Sequence, residues 1–377
     1  MSRFWNSRVK NISPYVPGEQ PRDRKFIKLN TNENPYPPSP KVIEAIQKAV
    51  DERLRLYPDP QCTELREAIA RRYRVKGEQV FAGNGSDEIL AFAFAAFFES
   101  SGGNRNEAIL FPDITYSFYP VYADLWNIPY RTVPVGEDFS INIADYKIPS
   151  GGVVFPNPNA PTGMPLSVND VFSLAAYLEK LDKVLIVDEA YVAYGAESAV
   201  PSINDNKHSN IVTVHTLSKS SSLAGLRGGY AIGNSELIEG LCRVRDSFNS
   251  YTVDRLALAG AEAAVSDASY YDEINRRVIA TRERVTKILR GNGFIVLPSA
   301  ANFIFVKAPN KTSVAKSEPC ISGADLMAAL RERGILVRHF NKNRIADYLR
   351  VSIGTDEEMD AFLEACAAII ANTGNTK

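Results

Sequence analysis

Short apolar runs and longer helical repeats alternate along the first two thirds of the chain. β-Branched runs predict strands over 79–82, 108–111, 153–155, 184–187, 211–214 and 229–232. The segments between them space their apolar residues as amphipathic helices do, which predicts helices over 39–54, 63–74, 87–98, from about 116, and over 168–180. Ser39 and Thr63 are the expected caps of the first two helices. Strands that alternate with helices form a mostly parallel sheet covered on both faces, so an α/β domain is expected.

The pattern changes after a helical stretch of roughly 235–290. Strands are then predicted over 294–297, 302–306, 335–338 and 348–352, with helices over 323–333 and from about 355. This order is typical of a smaller α+β domain, in which antiparallel strands have helices to one side. Residues 309–319 show no periodicity and are expected to form a surface loop.

The start of the chain is rich in proline, which excludes long helices and predicts an extended arm. The prolines concerned are Pro14, Pro17, Pro21, Pro35, Pro37 and Pro38. The total length of 377 residues exceeds what one hydrophobic core usually fills. The sequence therefore predicts an arm over 1–38, a large domain over 39–265 and a small domain over 266–377.

Composition narrows the classes of partner. Lys and Arg number 43 against 44 Asp and Glu, so the chain has no overall field to attract nucleic acid or a membrane surface, and small molecules are the expected partners. The longest apolar run, 89–98, is too short to span a bilayer, and the first residues lack the apolar core of a signal peptide. The four cysteines lie far apart, which favours reduced thiols over disulfides or a zinc site. A cytoplasmic protein without a metal is expected.

Polar or glycine residues follow directly after four of the predicted strands. They are Gly83-Asn-Gly-Ser-Asp87, the loop 157–163, Asp188 and Ser218-Lys219. Ligands of open α/β sheets bind outside the carboxyl ends of the strands. The four strand ends therefore predict one shared crevice.

Each of these features also has a purely structural interpretation. The glycine-rich turn opens a helix whose free N–H groups suit a phosphate, yet Ser86 or Asp87 can simply cap that helix, and the turn matches neither a P-loop nor the dinucleotide pattern. Asp188 ends an apolar strand and needs a cationic partner unless it caps the next helix. Lys219 in a crevice can have a lowered pKa and form a Schiff base, whereas most lysines are solvated surface charges.

Taken together and in order, these residues resemble the fold-type I pyridoxal-phosphate (PLP) enzymes, above all in Thr216-Leu-Ser-Lys219 and Leu223-Ala-Gly-Leu-Arg227. More specifically, the chain is similar to the histidinol-phosphate aminotransferase family from about residue 10 to 365. The similar segments are Ile12 to Gly18, Leu29 to Pro35, Tyr57 to Pro60, Asn84 to Glu88, Ser299 to Phe303 and Tyr348 to Thr355. The resemblance implies a seven-stranded, mostly parallel sheet and transfer of an amino group from histidinol phosphate to 2-oxoglutarate, a step of histidine biosynthesis.

The resemblance also implies a role for each site residue. Lys219 would hold PLP and move the substrate proton, Asp188 would pair with the pyridine nitrogen, Tyr191 would hydrogen-bond the phenolic oxygen, and Tyr116 would stack on the ring. The phosphate would be held by the N–H groups of Ser86 and Asp87, by Ser218 and by Arg227. Tyr57 would reach this phosphate from a neighbouring subunit, which implies a homodimer with shared active sites.

The chain departs from the family at one cofactor contact. The family's asparagine that also contacts the phenolic oxygen is Ala160 here, and Asn159 or Asn157 is expected to substitute for it.

Arginine forks suit both phosphate and carboxylate, so Arg338 and Arg350 are the expected anion-binding residues of an amino donor and an oxo-acid acceptor. Asn34 and Tyr36 are expected beside them, with Asn302 nearby. Arg338 alone could equally be an exposed strand residue.

Rival functions stay open at this point. An aromatic amino-acid aminotransferase or a decarboxylase of an amino-acid phosphate could use the same lysine, aspartate and arginines. A non-catalytic regulatory module would not need Lys219, Asp188 and Arg227 together, and it usually carries a DNA-binding domain for which the arm has no room.

Overall fold

The computed structural model describes residues 2–21, 24–101, 107–310 and 320–374. The loop predicted over 309–319 lies outside the described residues from 311 onward. The helices are α1 (Ser7–Asn11), α2 (Pro40–Ala49), α3 (Thr63–Tyr73), α4 (Gly85–Phe97), α5 (Phe118–Trp126), α6 (Val168–Glu179), α7 (Val200–Asn204), α8 (Ser235–Phe248), α9 (Arg255–Ser266), α10 (Ala268–Gly291), α11 (Gly323–Glu332) and α12 (Asp356–Gly374). The strands are β1 (Ile27–Lys28), β2 (Val80–Gly83), β3 (Ile109–Pro112), β4 (Tyr130–Val133), β5 (Val153–Pro156), β6 (Leu185–Asp188), β7 (Ile211–Thr216), β8 (Gly229–Gly233), β9 (Ile295–Val296), β10 (Phe303–Lys307), β11 (Ile335–Leu336), β12 (Arg338–His339) and β13 (Tyr348–Ser352).

Seven strands form one sheet in the order β2-β8-β7-β6-β5-β3-β4. Strand β8 runs antiparallel to both of its neighbours, and the remaining pairs are parallel. Every residue of β5, β6 and β7 is buried, because helices cover both faces and leave no strand residue for solvent. The predicted seven-stranded, mostly parallel sheet is confirmed.

The sheet brings four strand ends to one edge. Strands β5, β6 and β7 are parallel neighbours, and β2 shares their direction because the antiparallel β8 separates it from β7. Gly229, at the start of β8, pairs with Gly83 on one side and with Thr216 on the other. The glycine-rich turn therefore lies close to the end of β7.

A second sheet, in the order β12-β13-β10-β9, belongs to the later part of the chain and is antiparallel, as the sequence predicts. It has its own apolar core, which α10, α11 and α12 complete. The long helix α10 serves both cores, since Tyr271 and Ile274 pack in the core of the large sheet and Val278 and Val285 in the other.

The arm is tied to the small sheet region rather than to the large one. Strand β1 of the arm pairs in parallel with β11, with Ile27 opposite Ile335. Beyond it, the main-chain N–H of Ser352 donates to Leu29 O at 2.9 Å. These bonds attach the arm to the small domain.

Several predicted boundaries differ from the structure. The first helix ends at Ala49 instead of Leu54, and a short 3-10 turn follows whose first N–H groups are capped by Asp51. Thr63 is the first residue of α3, not its cap, and its N–H donates to Asp59 at 2.7 Å. The stretch 235–290 is three helices, because Asp254 caps α9 and Asp267 ends it. Strand β4 was missed, since Tyr130 to Thr132 are exposed at a sheet edge and give no apolar run.

Within the described residues, no helix is long and apolar enough to cross a membrane. The four cysteines are free thiols, and Cys62 and Cys366 are buried. In the same part of the chain, no three His, Cys, Asp or Glu side chains are grouped as a metal site would need.

Candidate active site

The four strand ends open into one cavity of about 140 Å³. It is lined by Tyr15, Gly18, Asn30, Thr31, Asn32, Ser86, Asp87, Tyr116, Pro156, Ala160, Asp188, Ala190, Tyr191, Thr216, Ser218, Lys219, Arg227, Arg338 and Arg350. Four of these side chains are cationic and two are carboxylates. Because cations outnumber carboxylates around a small enclosed space, the cavity favours anionic ligands.

Lys219 follows β7 and places its amine in the cavity. The amine donates to Thr31 O in the arm at 3.0 Å. Burial, assisted by the charge of Arg350, lowers the pKa of Lys219 to about 8. An amine with such a pKa is neutral in about a tenth of molecules at pH 7, far more than an unperturbed lysine, and a nucleophile or a base must be neutral.

Asp188 ends β6 with its carboxylate beside the cavity. Tyr119 donates to its Oδ2 at 3.2 Å, and the N–H of Ala190 donates to its Oδ1 at 3.1 Å. Burial nevertheless raises the pKa of Asp188 to about 7, since two neutral donors do not compensate for lost hydration. A cationic ligand group beside Asp188 would supply the missing compensation.

The start of α4 forms a cradle for an anion. The first N–H groups of a helix lack partners within it, and Asn84 at the N-cap makes no side-chain hydrogen bond to them. Arg227 reaches the same place, where its Nη1 donates to Ser218 Oγ at 3.4 Å and its Nη2 to Asp87 Oδ2 at 3.1 Å. Helix N–H groups, a hydroxyl and a guanidinium fork together fit a phosphate.

Gly85 makes this cradle possible. Its φ is +83°, and a Cβ there would lie 2.9 Å from Arg227 Nη2. The backbone conformation therefore favours glycine, and a side chain at this position would displace the Arg227 guanidinium from the cradle.

Two tyrosines line the space between the cradle and the lysine. Tyr116 donates to Asp87 Oδ1 at 2.7 Å, and Tyr191 accepts from Asn32 Nδ2 at 3.0 Å. Burial raises the pKa of both hydroxyls, so both remain neutral donors. Both tyrosines line the same cavity as Lys219 and Asp188.

Arg338 and Arg350 lie directly opposite each other on β12 and β13. Like charges in this arrangement repel unless an anion lies between them. Burial lowers the pKa of Arg350, its Nε is buried without a partner, and its Nη2 donates to Asn30 O at 3.0 Å. Arg338 donates to the arm, to Val16 O at 3.1 Å. The two guanidinium groups thus lie where the arm and the small domain border the cavity, and an anion between them would offset their repulsion.

Other predicted residues lie outside the cavity lining. Asn34 is behind the lysine, with its Nδ2 donating to Lys219 O at 3.2 Å. The Tyr36 ring lies 4.0 Å from the Arg277 guanidinium. Tyr57 is 77% exposed and stacks on Tyr251 at 4.5 Å between ring centroids. Asn34 and Tyr36 thus reach a substrate only if the cavity extends toward them.

Neither expected substitute for the family asparagine presents a free amide to the cavity. Asn159 Nδ2 donates to Ile114 O at 2.9 Å and to Thr162 Oγ1 at 3.1 Å. The amide of Asn157 donates to Leu166 O at 3.1 Å and accepts from Leu166 N at 2.9 Å. Ala160 itself lines the cavity.

Sequence reasoning did not single out four residues that shape the site. Tyr15, Thr31 and Asn32 of the arm line the cavity, and Tyr119 of α5 holds Asp188. The three arm residues lie in segments that resemble the histidinol-phosphate aminotransferase family. Nothing in a single sequence shows, however, that an arm folds back over a distant lysine. The position of Tyr119 on a helix next to an aromatic cluster is typical of core packing.

Comparison with known proteins identifies the family of the chain. The model of the aminotransferase class I and II family matches residues 24–366. Histidinol-phosphate aminotransferase of Clostridium acetobutylicum is 52% identical over 371 residues, which cover 98% of this chain and 100% of that protein. Histidinol-phosphate aminotransferase 1 of Bradyrhizobium diazoefficiens is 52% identical over 370 residues, with 98% and 100% covered.

A solved structure extends the comparison to the fold. The histidinol-phosphate aminotransferase of Sinorhizobium meliloti, solved in complex with pyridoxal-5'-phosphate, has a TM-score of 0.84 at 24% identity, with 99% of both chains covered. The predicted fold-type I architecture is thereby confirmed. Matched over most of its length by the family model and by relatives of about half identity, this chain belongs to the aminotransferase class I and II family and groups there with the histidinol-phosphate aminotransferases.

Proposed function

We propose that this protein transfers the amino group of histidinol phosphate to 2-oxoglutarate with PLP as cofactor, giving imidazole-acetol phosphate and glutamate. The observation that carries the proposal is a half-buried lysine with a lowered pKa, placed between a phosphate cradle, a buried carboxylate and a pair of opposed arginines. The relatives named for this activity support the choice of substrate.

The residues present fit PLP group by group. The N–H groups at Ser86 and Asp87, with Ser218 and Arg227, would hold the phosphate. Asp188 would pair with the pyridine nitrogen, Tyr116 would cover the ring face and Tyr191 would donate to the phenolic oxygen. Asn159, whose amide hydrogens are used within its own loop, fits this last role poorly. When bound, PLP supplies an electron sink for negative charge at the substrate Cα.

Two ionisable groups of the chain divide the proton chemistry. The Lys219 amine, with its pKa near 8, would hold the cofactor aldehyde and, once released, accept and return the proton of the substrate Cα. The Asp188 carboxylate would keep a proton on the pyridine nitrogen, and the ion pair would offset the burial that raises its own pKa. Both groups act from rigid strand ends, which fixes their distance from a bound ring.

The arginine pair would select the substrates. One half-reaction presents a phosphate and the other a carboxylate, and a guanidinium fork binds either anion in two parallel hydrogen bonds. The buried and unpartnered Nε of Arg350 is a donor available for this purpose. Asn34 and Tyr36 would add contacts to the substrate if the cavity extends toward them.

We further propose a homodimer in the cytoplasm. Tyr57 stacks on the exposed Tyr251, and its chain neighbours Leu54 and Leu56 are exposed as well, an apolar surface of the kind that marks a protein interface. A second copy covering this surface would bring Tyr57 to its partner's phosphate cradle.

A half-reaction tests the proposed function. Histidinol phosphate added without an oxo acid should abolish the visible absorption of the PLP-loaded protein, and 2-oxoglutarate should restore it. Lys219→Ala should lack the lysine-bound absorption from the start, whereas Lys207→Ala, at a surface lysine, should behave as the wild type. Release of carbon dioxide from an amino acid, or bleaching by aromatic amino acids but not by histidinol phosphate, would contradict the proposal.

A further inference from the structure

The loop 157–163 leaves one cofactor contact unfilled. Ala160, which lines the cavity, has only a methyl side chain, while Asn159 Nδ2 donates to Ile114 O and Thr162 Oγ1, and Asn157 Nδ2 donates to Leu166 O outside the cavity lining. The free Oδ1 of Asn159 is an acceptor, so it cannot pair with a negative phenolic oxygen. Of residues 157–163, only Ala160 lines the cavity, and its methyl group cannot donate a hydrogen bond to that oxygen.

A short chain of hydrogen bonds reaches Tyr191 from the arm and the small domain. Ser352 Oγ accepts from the N–H of Asn32 at 2.8 Å and donates to Asn32 Oδ1 at 2.9 Å. Asn32 Nδ2 then donates to the Tyr191 hydroxyl at 3.0 Å. Asn32 and Ser352 are 1% and 2% exposed, so water does not compete for these bonds.

The direction of this chain decides what Tyr191 can do. Since the Tyr191 hydroxyl accepts from Asn32, its own proton is left for another acceptor, and both residues line the cavity. Ser352 fixes the orientation of the Asn32 amide. Its hydroxyl donates to Asn32 Oδ1, so the Oδ1 atom faces Ser352 and the Nδ2 atom faces Tyr191. If the amide were reversed, Asn32 Oδ1 would face the Tyr191 hydroxyl and accept its hydrogen bond, which would leave no proton for another acceptor.

We propose that Asn32 and Ser352 are positioning residues that keep Tyr191 a hydrogen-bond donor to the phenolic oxygen of the bound cofactor, in place of the donor missing at Ala160. The inference rests on the proposed function, since it concerns the cofactor assigned there. Asn32 belongs to the arm and Ser352 to β13 of the small domain, so Tyr191 is oriented only where these two parts meet the large domain.

The test uses the pH dependence of the visible absorption of the PLP-loaded protein. The nitrogen that joins lysine and cofactor loses a proton as the pH rises, and a donor to the nearby phenolic oxygen stabilises the deprotonated form, which lowers the pKa of that nitrogen. Asn32→Ala and Ser352→Ala should each raise this pKa, Asn32→Ala by about one unit, which is a tenfold change in the equilibrium. Ser352→Thr, which keeps the hydroxyl, should leave it near the wild-type value.

A double-mutant cycle separates positioning from simple loosening of the structure. In a Tyr191→Phe background, Asn32→Ala should cause no further shift, because the hydroxyl through which it acts is gone. Asn210→Ala is the matched control, since Asn210 is a buried asparagine outside the cavity lining whose Nδ2 donates to Ala175 O at 3.0 Å and to Lys183 O at 2.9 Å. It should lower the melting temperature without the pKa shift. Ala160→Asn added to Asn32→Ala should restore a donor and lower the pKa again.

The outcomes distinguish the inference from the function on which it rests. An unchanged pKa in Asn32→Ala and Ser352→Ala, or an equal shift with and without the Tyr191 hydroxyl, overturns the positioning role while PLP binding stands. A wild-type protein that takes up no PLP overturns the proposed function itself. If Asn32→Ala fails to fold, the comparison of Ser352→Ala with Ser352→Thr decides the question alone.

Discussion

The amine of Lys219 donates to the main-chain oxygen of Thr31 at 3.0 Å, although 188 positions separate the two residues. This bond joins the end of the central strand β7 to the arm that covers the cavity. It holds the amine in place where burial disfavours its charged form. The reactivity of Lys219 therefore depends on the arm as well as on the strand that carries it.

We expect Lys219 to react with amine reagents in the cofactor-free protein with a midpoint near pH 8. Burial lowers the pKa of this amine to about 8, so the population of the neutral, reactive form increases as the pH rises and predominates above that value. Labelling rates from peptide mass spectrometry across pH check this, with the exposed Lys207 as an internal standard for the reagent. A rate for Lys219 that still climbs steeply above pH 10 would contradict it.

Asp188→Asn should stabilise the cofactor-free protein at pH 8 and yet impair transamination. The pKa of Asp188 is raised from 3.8 to about 7, so its ionisation costs stability as the pH rises through this interval. The asparagine removes that cost, and the gain in melting temperature should vanish below about pH 4, where the aspartate is protonated as well. Activity should fall by roughly two or more orders of magnitude, because a neutral amide cannot hold the pyridine proton. Calorimetry over pH checks the first part; a lower melting temperature at pH 8 would refute it.

Gly85→Ala should weaken PLP binding about tenfold or more. The added Cβ would meet Arg227 Nη2 at 2.9 Å at a φ of +83°, which displaces a phosphate-binding fork whose charge-assisted bonds are worth roughly 1.5–3 kcal/mol. Gly225→Ala is the matched control, since no atom of the described residues lies within 4 Å of a Cβ there. Equilibrium titration with PLP measures both variants, and equal affinities would exclude the cradle.

Arg350→Lys should raise KM for histidinol phosphate and for 2-oxoglutarate alike. Lysine keeps the charge but loses the planar fork, which costs about 1–3 kcal/mol at a two-pronged anion site. The effect on kcat should be smaller, because the residue binds the remote anion rather than the reacting atoms. Steady-state kinetics check the expectation, with the exposed Arg333→Lys as control. An effect on only one of the two substrates would show that separate residues bind them.

Two inactive variants should restore activity when their subunits are mixed. In a mixed dimer, the Tyr57→Ala chain keeps Lys219 and would receive the native Tyr57 of its Lys219→Ala partner. Activity after mixing under conditions of subunit exchange, compared with each variant alone, measures this. No gain despite proven exchange would place Tyr57 outside the shared site.

Much of the fold could be predicted from the local pattern of apolar and polar residues. The all-buried strands β5, β6 and β7 are visible as short apolar runs, and the polar residues that follow each run mark the cavity edge. Lys219 and Asp188 were predicted because a parallel sheet brings the carboxyl ends of its strands together, whereas Arg227 was predicted from the resemblance of 223–227 to the family. Strand β4 escaped prediction because its residues are exposed, which removes the apolar signal on which such a prediction depends.

The sequence by itself determined that the large domain is a mostly parallel sheet between helices and which chemical groups follow four of its strands, because burial and backbone geometry leave a local pattern. Only the tertiary structure decided how the arm closes the cavity, where β1 pairs with β11, Thr31 holds Lys219, and Asn32 and Ser352 orient Tyr191. It also decided that the amides of Asn157 and Asn159 are engaged elsewhere. These contacts join residues far apart in the chain, and a hydrogen bond between them depends on the final packing of three separate parts, which no local pattern records.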